Sequence, residues 1–206
     1  MDKQVDKKIY EFFNYSSPGR FASYWYQLSE VLDLKSDSVL EIGAGDKVLG
    51  NYLQSNTSIN YQSLDLAADL SPDIVGSVDA IPLNDNTFDL VCAFEVLEHL
   101  PFEKFEKSLQ EMKRVARQYV LISLPHWGRH FSLEIRLPFW KKIRWQHKIN
   151  SWPIKHQFNG QHYWEIGKKD FSLERIKNSI RNTGLEVIKD YVPYEMPYHH
   201  FFVLKK

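Results

Sequence analysis

Three groups of side chains in this 206-residue chain have types and spacings suited to chemistry. The first is Glu41, Gly43, Ala44 and Gly45 at the end of a short apolar run, with Asp65 twenty residues beyond Gly45. Glycine at two such positions lets the chain turn sharply and lets backbone lie against a ligand with no Cβ in the way. Carboxylates beside that turn suit a cationic ligand. The second group is Glu95-Val-Leu-Glu98-His99, two carboxylates and an imidazole within one helical turn. The third is a set of histidines, His99, His126 and His162, each a candidate to take a proton near neutral pH.

These residues must be positioned by regular elements, and the pattern supplies them. Val39, Leu40 and Ile42 around Glu41 read as a short buried strand, and Lys47 to Leu53 as the first turns of a helix. Tyr61 to Asp65 is a second strand. Its terminal acid falls where a ribose-binding carboxylate stands in doubly wound sheets, because a βαβ unit returns its second strand beside the first. A glycine turn between strand and helix usually serves a nucleotide-like ligand. A dinucleotide is disfavoured here. The third glycine of G-x-G-x-x-G is absent, and Asp46 stands at the helix start where a pyrophosphate wants no negative charge. Residues 66–73 are too short and too interrupted by proline for an ordinary crossover helix, so a brief third strand is expected near Ile74-Val75. Phe88 to Phe94 is a fourth strand, Phe102 to Val115 an amphipathic helix, and Tyr119 to Pro125 a fifth strand. Late in the chain, Asp170 is placed to cap a helix carrying Leu173, Ile176 and Ile180, with Gly184 at its end. Leu185–Tyr191 and His200–Leu204 close the sheet.

With those elements in place, Val39-Leu-Glu-Ile-Gly-Ala-Gly45 resembles the first motif of class I S-adenosylmethionine-dependent methyltransferases of the type 11 kind. Phe88-Asp-Leu-Val followed by Glu95-Val-Leu-Glu-His-Leu100 is a second mark of the same family. The resemblance covers residues 38–125 and 170–204. It implies an α/β, Rossmann-like, doubly wound sheet of seven mostly parallel strands with the last one antiparallel. It also implies S-adenosyl-L-methionine as cofactor. By that resemblance Glu41, Gly43, Ala44, Gly45, Asp65 and Leu66 hold the cofactor, Ser77, Val78 and Asp79 hold its adenine, and Phe94 and Glu95 line its methionine end. The expected organisation is one domain: a helical cap (1–37), a cofactor-binding core (38–125), a substrate-side insertion (126–169), and a closing helix and hairpin (170–206). The cap, with Ile9, Phe12, Phe13 and then Phe21 to Leu32 near helical spacing, either packs on the sheet edge or covers the cofactor. In the second case Tyr15, Arg20 and Tyr24 stand near the substrate.

Lys plus Arg and Asp plus Glu are equal at 26 each, so no global charge draws the chain to nucleic acid, and a nucleic-acid partner is not expected. The single Cys92 sits in an apolar run, which excludes a disulfide framework. Five of the first eight residues are charged, and no stretch approaches about 18 apolar residues, so a cytoplasmic enzyme is expected.

Residues 126–165 are what the family pattern does not explain. Five of the six tryptophans (127, 140, 145, 152, 164) and five of the eight histidines lie there, interleaved with Arg136, Lys141, Lys142, Arg144 and Lys148. An insertion after the fifth strand lies over the crevice, so substrate selection is placed here, for a small-molecule, glycan or lipid-linked acceptor. The basic aromatic run (131–149) also suits base stacking, or a helix seated at a membrane surface. Methyl transfer can proceed by positioning alone, and no metal is expected. The competing arrangement is Glu95, Glu98, His99 and His162 around a cation, resembling metal-assisted RNA or quinone-precursor O-methyltransferases. A non-catalytic S-adenosylmethionine-binding regulator and a nicotinamide dehydrogenase are the remaining alternatives.

Overall fold

A computed structural model describes residues 11–149 and 152–206. Ile9 of the expected cap therefore lies outside the described residues. Strand β1 (Ser38–Ile42) is buried at every position and lies between β2 (Asn60–Asp65) and β4 (Phe88–Phe94), parallel to both. A strand buried on both faces reads as a near-continuous apolar run, which is what residues 39–42 and 88–94 show. The short β3 (Ile74–Val75) extends one edge, and only a 3-10 turn (Ala68–Leu70) precedes it. On the other side follow β5 (Ala116–Pro125), then two later strands.

Those strands are Glu186–Tyr191 and His199–Lys205, which become β8 and β9 because an extra hairpin precedes them. The seven-stranded order is β3-β2-β1-β4-β5-β9-β8, and β9 runs antiparallel to both neighbours. The Rossmann-like sheet of seven mostly parallel strands with the last one antiparallel, which the resemblance implies, is therefore present.

Side chains alternate across β1, so each face of the sheet has its own core. Leu40 and Ile42 pack toward α4 (Phe105–Val115) and α5 (Leu173–Asn182). Val39 packs with Leu49 and Leu53 of α3 (Val48–Asn56) and with Val31 of α2 (Pro18–Asp33), which follows a short α1 (Phe12–Tyr15). Ser17 caps α2 by accepting from the Arg20 amide, with Pro18 at the first turn. Ser16 and Ser17 thereby separate α1 from α2. The cap of α5 is Ser172, which accepts from the Arg175 amide, and not Asp170. Asp170 instead adopts a left-handed backbone at φ +71° in the preceding turn.

The insertion differs from expectation. It contains no helix among its described residues. Strands β6 (Arg129–Ile135) and β7 (Ile143–Ile149) form a separate antiparallel hairpin, with Leu133 opposite Trp145 and Ile135 opposite Ile143. β-branched and aromatic residues in alternation favour a pleated ribbon over a helix. Trp164 of the insertion packs into the core instead: it is fully buried against Phe102, Phe105 and Phe171, and its indole N–H donates to the Leu100 carbonyl.

Candidate active site

At the carboxyl end of β1 the chain turns through Gly43 (φ +74°) and Gly45 (φ +50°), both left-handed. A Cβ on Gly43 would lie 2.4 Å from Val96 Cγ2, so the turn is packed against the loop after β4 as well as being conformationally restricted. Glu41, Gly43, Ala44, Gly45 and Phe94 line an open cleft here, together with Tyr15, Arg20, Tyr24 and Gln27 from the N-terminal helices. Helix α2 packs on a face of the sheet and also reaches the cleft. It buries Ser23, Tyr24, Gln27, Glu30 and Val31 against the sheet, and it walls the cleft.

The electrostatics of this cleft are acidic at the floor and basic at the rim. Glu41 is buried at the cleft floor and takes a hydrogen bond from the Tyr61 hydroxyl, while burial pushes its carboxyl up to about 8. Asp46 accepts from the Tyr24 hydroxyl and faces the Val48 amide at 3.5 Å, tying α2 to the start of α3. Arg20 lies over the Tyr15 ring at 4.4 Å.

Asp65 ends β2 beside this turn, held there by the bond from the Gly43 amide to the Leu64 carbonyl. Its carboxylate accepts from the Ala67 amide at 2.8 Å, and partial burial raises its pKa. Leu66 next to it is exposed. Of the three adenine candidates, Ser77 donates to Asp79, and Asp79 also takes an ion pair from Lys104 at 2.8 Å. Lys104 and Ser77 together hold the Asp79 carboxyl below the usual range. Both of its oxygens are thus engaged within the chain, and Val78 is buried beside them.

Beyond Phe94 lies a shell of acids and histidines. Glu95 adopts φ +55°, a left-handed conformation that costs a non-glycine residue on the order of 1 kcal/mol or more. That turn aims its carboxyl at Ser123, which donates at 2.8 Å, and at His199, whose Nε2 stands 3.5 Å away. His199 Nδ1 in turn meets the Ser23 hydroxyl of α2 at 2.8 Å. Burial pushes Glu95 up to about 8 and His199 down to about 3.

Glu98 is fully buried, and among the described residues neither carboxyl oxygen has a hydrogen-bond partner. His99 and His162 stack edge to face at 5.0 Å, and one ligand-capable atom from each of Glu98, His99 and His162 lies within 4.8 Å of the others. His99 Nδ1 contacts the Gln161 carbonyl at 3.0 Å, and burial followed by the charge of His162 lowers its pKa to about 4. His162 Nδ1 faces Glu165 at 3.1 Å, a carboxylate that also accepts from Tyr198.

His126 is not brought to this shell. Its ring stacks on His200 with an Nδ1 to Nδ1 distance of 2.9 Å, and His200 Nε2 reaches Asp190 at 3.0 Å. Burial and the nearby Lys148 push His126 down to about 2, so it is a neutral core residue. His199, Glu165, Ser123 and Tyr198 went unread in the sequence. Only the antiparallel pairing of β5 with β9, which sets Ser123 opposite Phe201 and Pro125 opposite His199, brings the last strand to the site. A sequence pattern carries no signal for that register.

Residues 40–122 match the family model described as a methyltransferase domain. No curated protein matches the chain in sequence. Among solved structures, an S-adenosylmethionine-dependent methyltransferase from Aquifex aeolicus is 16% identical with a TM-score of 0.59, covering 98% of each chain. The 1,6-didemethyltoxoflavin N1-methyltransferase of Burkholderia thailandensis, solved with S-adenosylhomocysteine, is 13% identical with a TM-score of 0.58, covering 93% of this chain and 91% of its own. A glycopeptide N-methyltransferase bound to S-adenosylhomocysteine is also 13% identical with a TM-score of 0.58, covering 93% and 90%. At these identities the structural likeness speaks for the fold.

Proposed function

We propose that this chain, which carries a Rossmann-like sheet and matches a methyltransferase-domain model over residues 40–122, is an S-adenosylmethionine-dependent methyltransferase that methylates an oxygen or nitrogen of a small-molecule, sugar or lipid-linked acceptor. The observation that carries this reading is the cleft at the carboxyl end of β1, where Glu41 and the Gly43–Gly45 turn face Arg20 of α2. Arg20 lines the cleft, and its charge is felt by both Glu95 and Glu98. The residues present fit the cofactor. Glu41 is a buried carboxyl that gains from a cationic ammonium, Arg20 offers a guanidinium to a carboxylate, and Asp65 offers acceptor oxygens to ribose hydroxyls. When bound, the cofactor supplies an electrophilic methyl group on a sulfonium.

The chain's own part is to position, to exclude water and to take a proton. In this reading His162 takes it. A carboxylate can only accept, so the hydrogen between His162 and Glu165 sits on Nδ1, which leaves Nε2 as the atom that would take the proton. His99 braces the ring from its edge. The toxoflavin-type and glycopeptide acceptors of the two named neighbours are compatible with a non-nucleic-acid acceptor, as is the balanced charge of the chain. A screen with labelled cofactor against sugars, lipid-linked intermediates, quinone precursors and small RNAs tests this. Transfer to RNA alone would overturn it.

One observation favours a second reading, in which a divalent cation assists. Glu98 is fully buried, among the described residues neither of its oxygens is hydrogen-bonded, and its Oε1 lies 3.9 Å from His162 Nε2 inside the Glu98, His99 and His162 set. Such a carboxyl is costly without a cation or donor, and a mixed O/N set suits zinc or manganese. Calorimetry with each ion on the unliganded protein and on Glu98→Gln decides: heat lost in the variant supports a cation, and no heat in either returns the site to His162 alone.

A further inference from the structure

The hairpin of β6 and β7 is built inside out. In an antiparallel pair, residues directly opposite share a face and alternate residues change face. Gln146 and Lys148 point at the body of the protein: Gln146 donates to the Val192 carbonyl, and Lys148 to the carbonyls of His126 and Pro197. Arg144 on the same face pairs with Glu195 and lies over Tyr194. The opposite face is the cross-strand ladder of Phe131, Leu133 with Trp145, and Ile135 with Ile143, all exposed by 40–56%. A half-solvated ribbon normally turns its apolar side to the core. Here the polar side is docked and the apolar side is offered to the outside.

The tip continues the same surface. Phe139 is fully exposed and Trp140 is 73% exposed, and Lys141 and Lys142 follow them. Residues 129–149 hold six Lys or Arg and one acid, Glu134. Arg136, Lys142 and Arg144 all share that single carboxylate. The chain as a whole is balanced, so the remainder is net acidic and the positive charge is concentrated on this one ribbon.

We propose that the apolar face and tip of the β6–β7 hairpin dock on an anionic lipid bilayer surface. Trp and Phe suit the water–hydrocarbon boundary, and flanking Lys and Arg meet acidic headgroups. Charge favours this occupant over a second copy, since two hairpins face to face would oppose like charges. Size does too. Two seven-residue strands present a footprint of roughly 250 Å², below the roughly 800 Å² per partner of a stable interface. The proposal stands apart from the identity of the acceptor, because docking is read without turnover.

Co-sedimentation with vesicles of pure phosphatidylcholine, and of phosphatidylcholine with 30% phosphatidylglycerol (roughly the anionic share that makes a surface strongly negative), tests it. Binding to the anionic vesicles is expected to fall at least tenfold (about the loss of two such contacts) for Phe139→Ser with Trp140→Ser and for Lys141→Glu, and to weaken with added salt. The same variants should keep their melting temperature and their affinity for S-adenosylhomocysteine. Equal binding to both vesicle types, or none to either, would overturn the proposal. So would a concentration-dependent dimer, seen by sedimentation, that the tip variants abolish.

Discussion

The Glu165 carboxylate lies 3.1 Å from His162 Nδ1, and because a carboxylate accepts, the hydrogen of this contact sits on Nδ1. The same carboxylate accepts from Tyr198, so it is held from two directions. Replacing His162 by alanine should lower kcat about 10²- to 10⁴-fold, the usual range for a positioned proton acceptor, with S-adenosylhomocysteine affinity unchanged. Glu165→Gln should lower kcat less. A His162→Ala enzyme with full turnover would remove it from the reaction.

Asp65→Ala should weaken cofactor binding by about 1–3 kcal/mol, because ribose hydroxyls lose their acceptor. Isothermal calorimetry with S-adenosylhomocysteine measures this directly, and undiminished affinity would move the ribose site elsewhere.

Binding should also release a proton. Burial holds the Glu41 carboxyl up at about 8, so below that pH it is largely protonated in the unliganded protein. A ligand ammonium favours the carboxylate and drives the proton off. Between pH 6 and 7.5 the heat of binding should therefore depend on the ionisation enthalpy of the buffer. That dependence should shrink in Glu41→Gln. The sign for stability follows the same displacement: a carboxyl raised from 4.5 to about 8 contributes stability below 4.5 that is lost as pH climbs to 8.

Acid should act oppositely through the buried histidines. His126, His199 and His200 are pushed down to about 2, 3 and 4. Groups lowered from 6.5 stabilise the fold above that pH, and the contribution is lost as pH falls toward their folded values. Melting temperature should drop between pH 6.5 and 4, and His126→Gln should lower it at pH 7.5 while flattening that acid limb. An unchanged acid limb in His126→Gln would mean that the histidine is solvated.

The tryptophans of the insertion should divide into two kinds. Trp164→Ala should cost about 3–5 kcal/mol of stability, since a fully buried indole and its bond to Leu100 are removed. Trp140→Ala with Trp145→Ala, at exposed positions, should leave stability and cofactor affinity alone while lowering transfer to the acceptor. Denaturant unfolding and single-turnover transfer separate the two effects. Equal losses of stability in the Trp164 variant and the Trp140–Trp145 double variant would make the hairpin part of the core.

Much was legible in the sequence wherever a local rule governs. The turn at Gly43 and Gly45 needs left-handed backbone, Val39 to Ile42 needs burial on both faces, and Asp65 falls at the end of the next parallel strand because the intervening helix has a set length. Those three constraints carry the sheet order on the cofactor side and the cleft floor. What tertiary structure alone decided depends on register and on which face is docked. His126 and His162 looked alike as neighbours of the crevice, yet β9 brings His200 to one, while the return of the chain at Glu165 orients the other. The aromatic run from 131 to 149 fits helix and strand alike in composition. Cross-strand pairing made it a ribbon, and the bonds of Gln146 and Lys148 turned its polar side inward. Contacts between residues far apart in the chain are set by packing geometry, and no spacing rule encodes them.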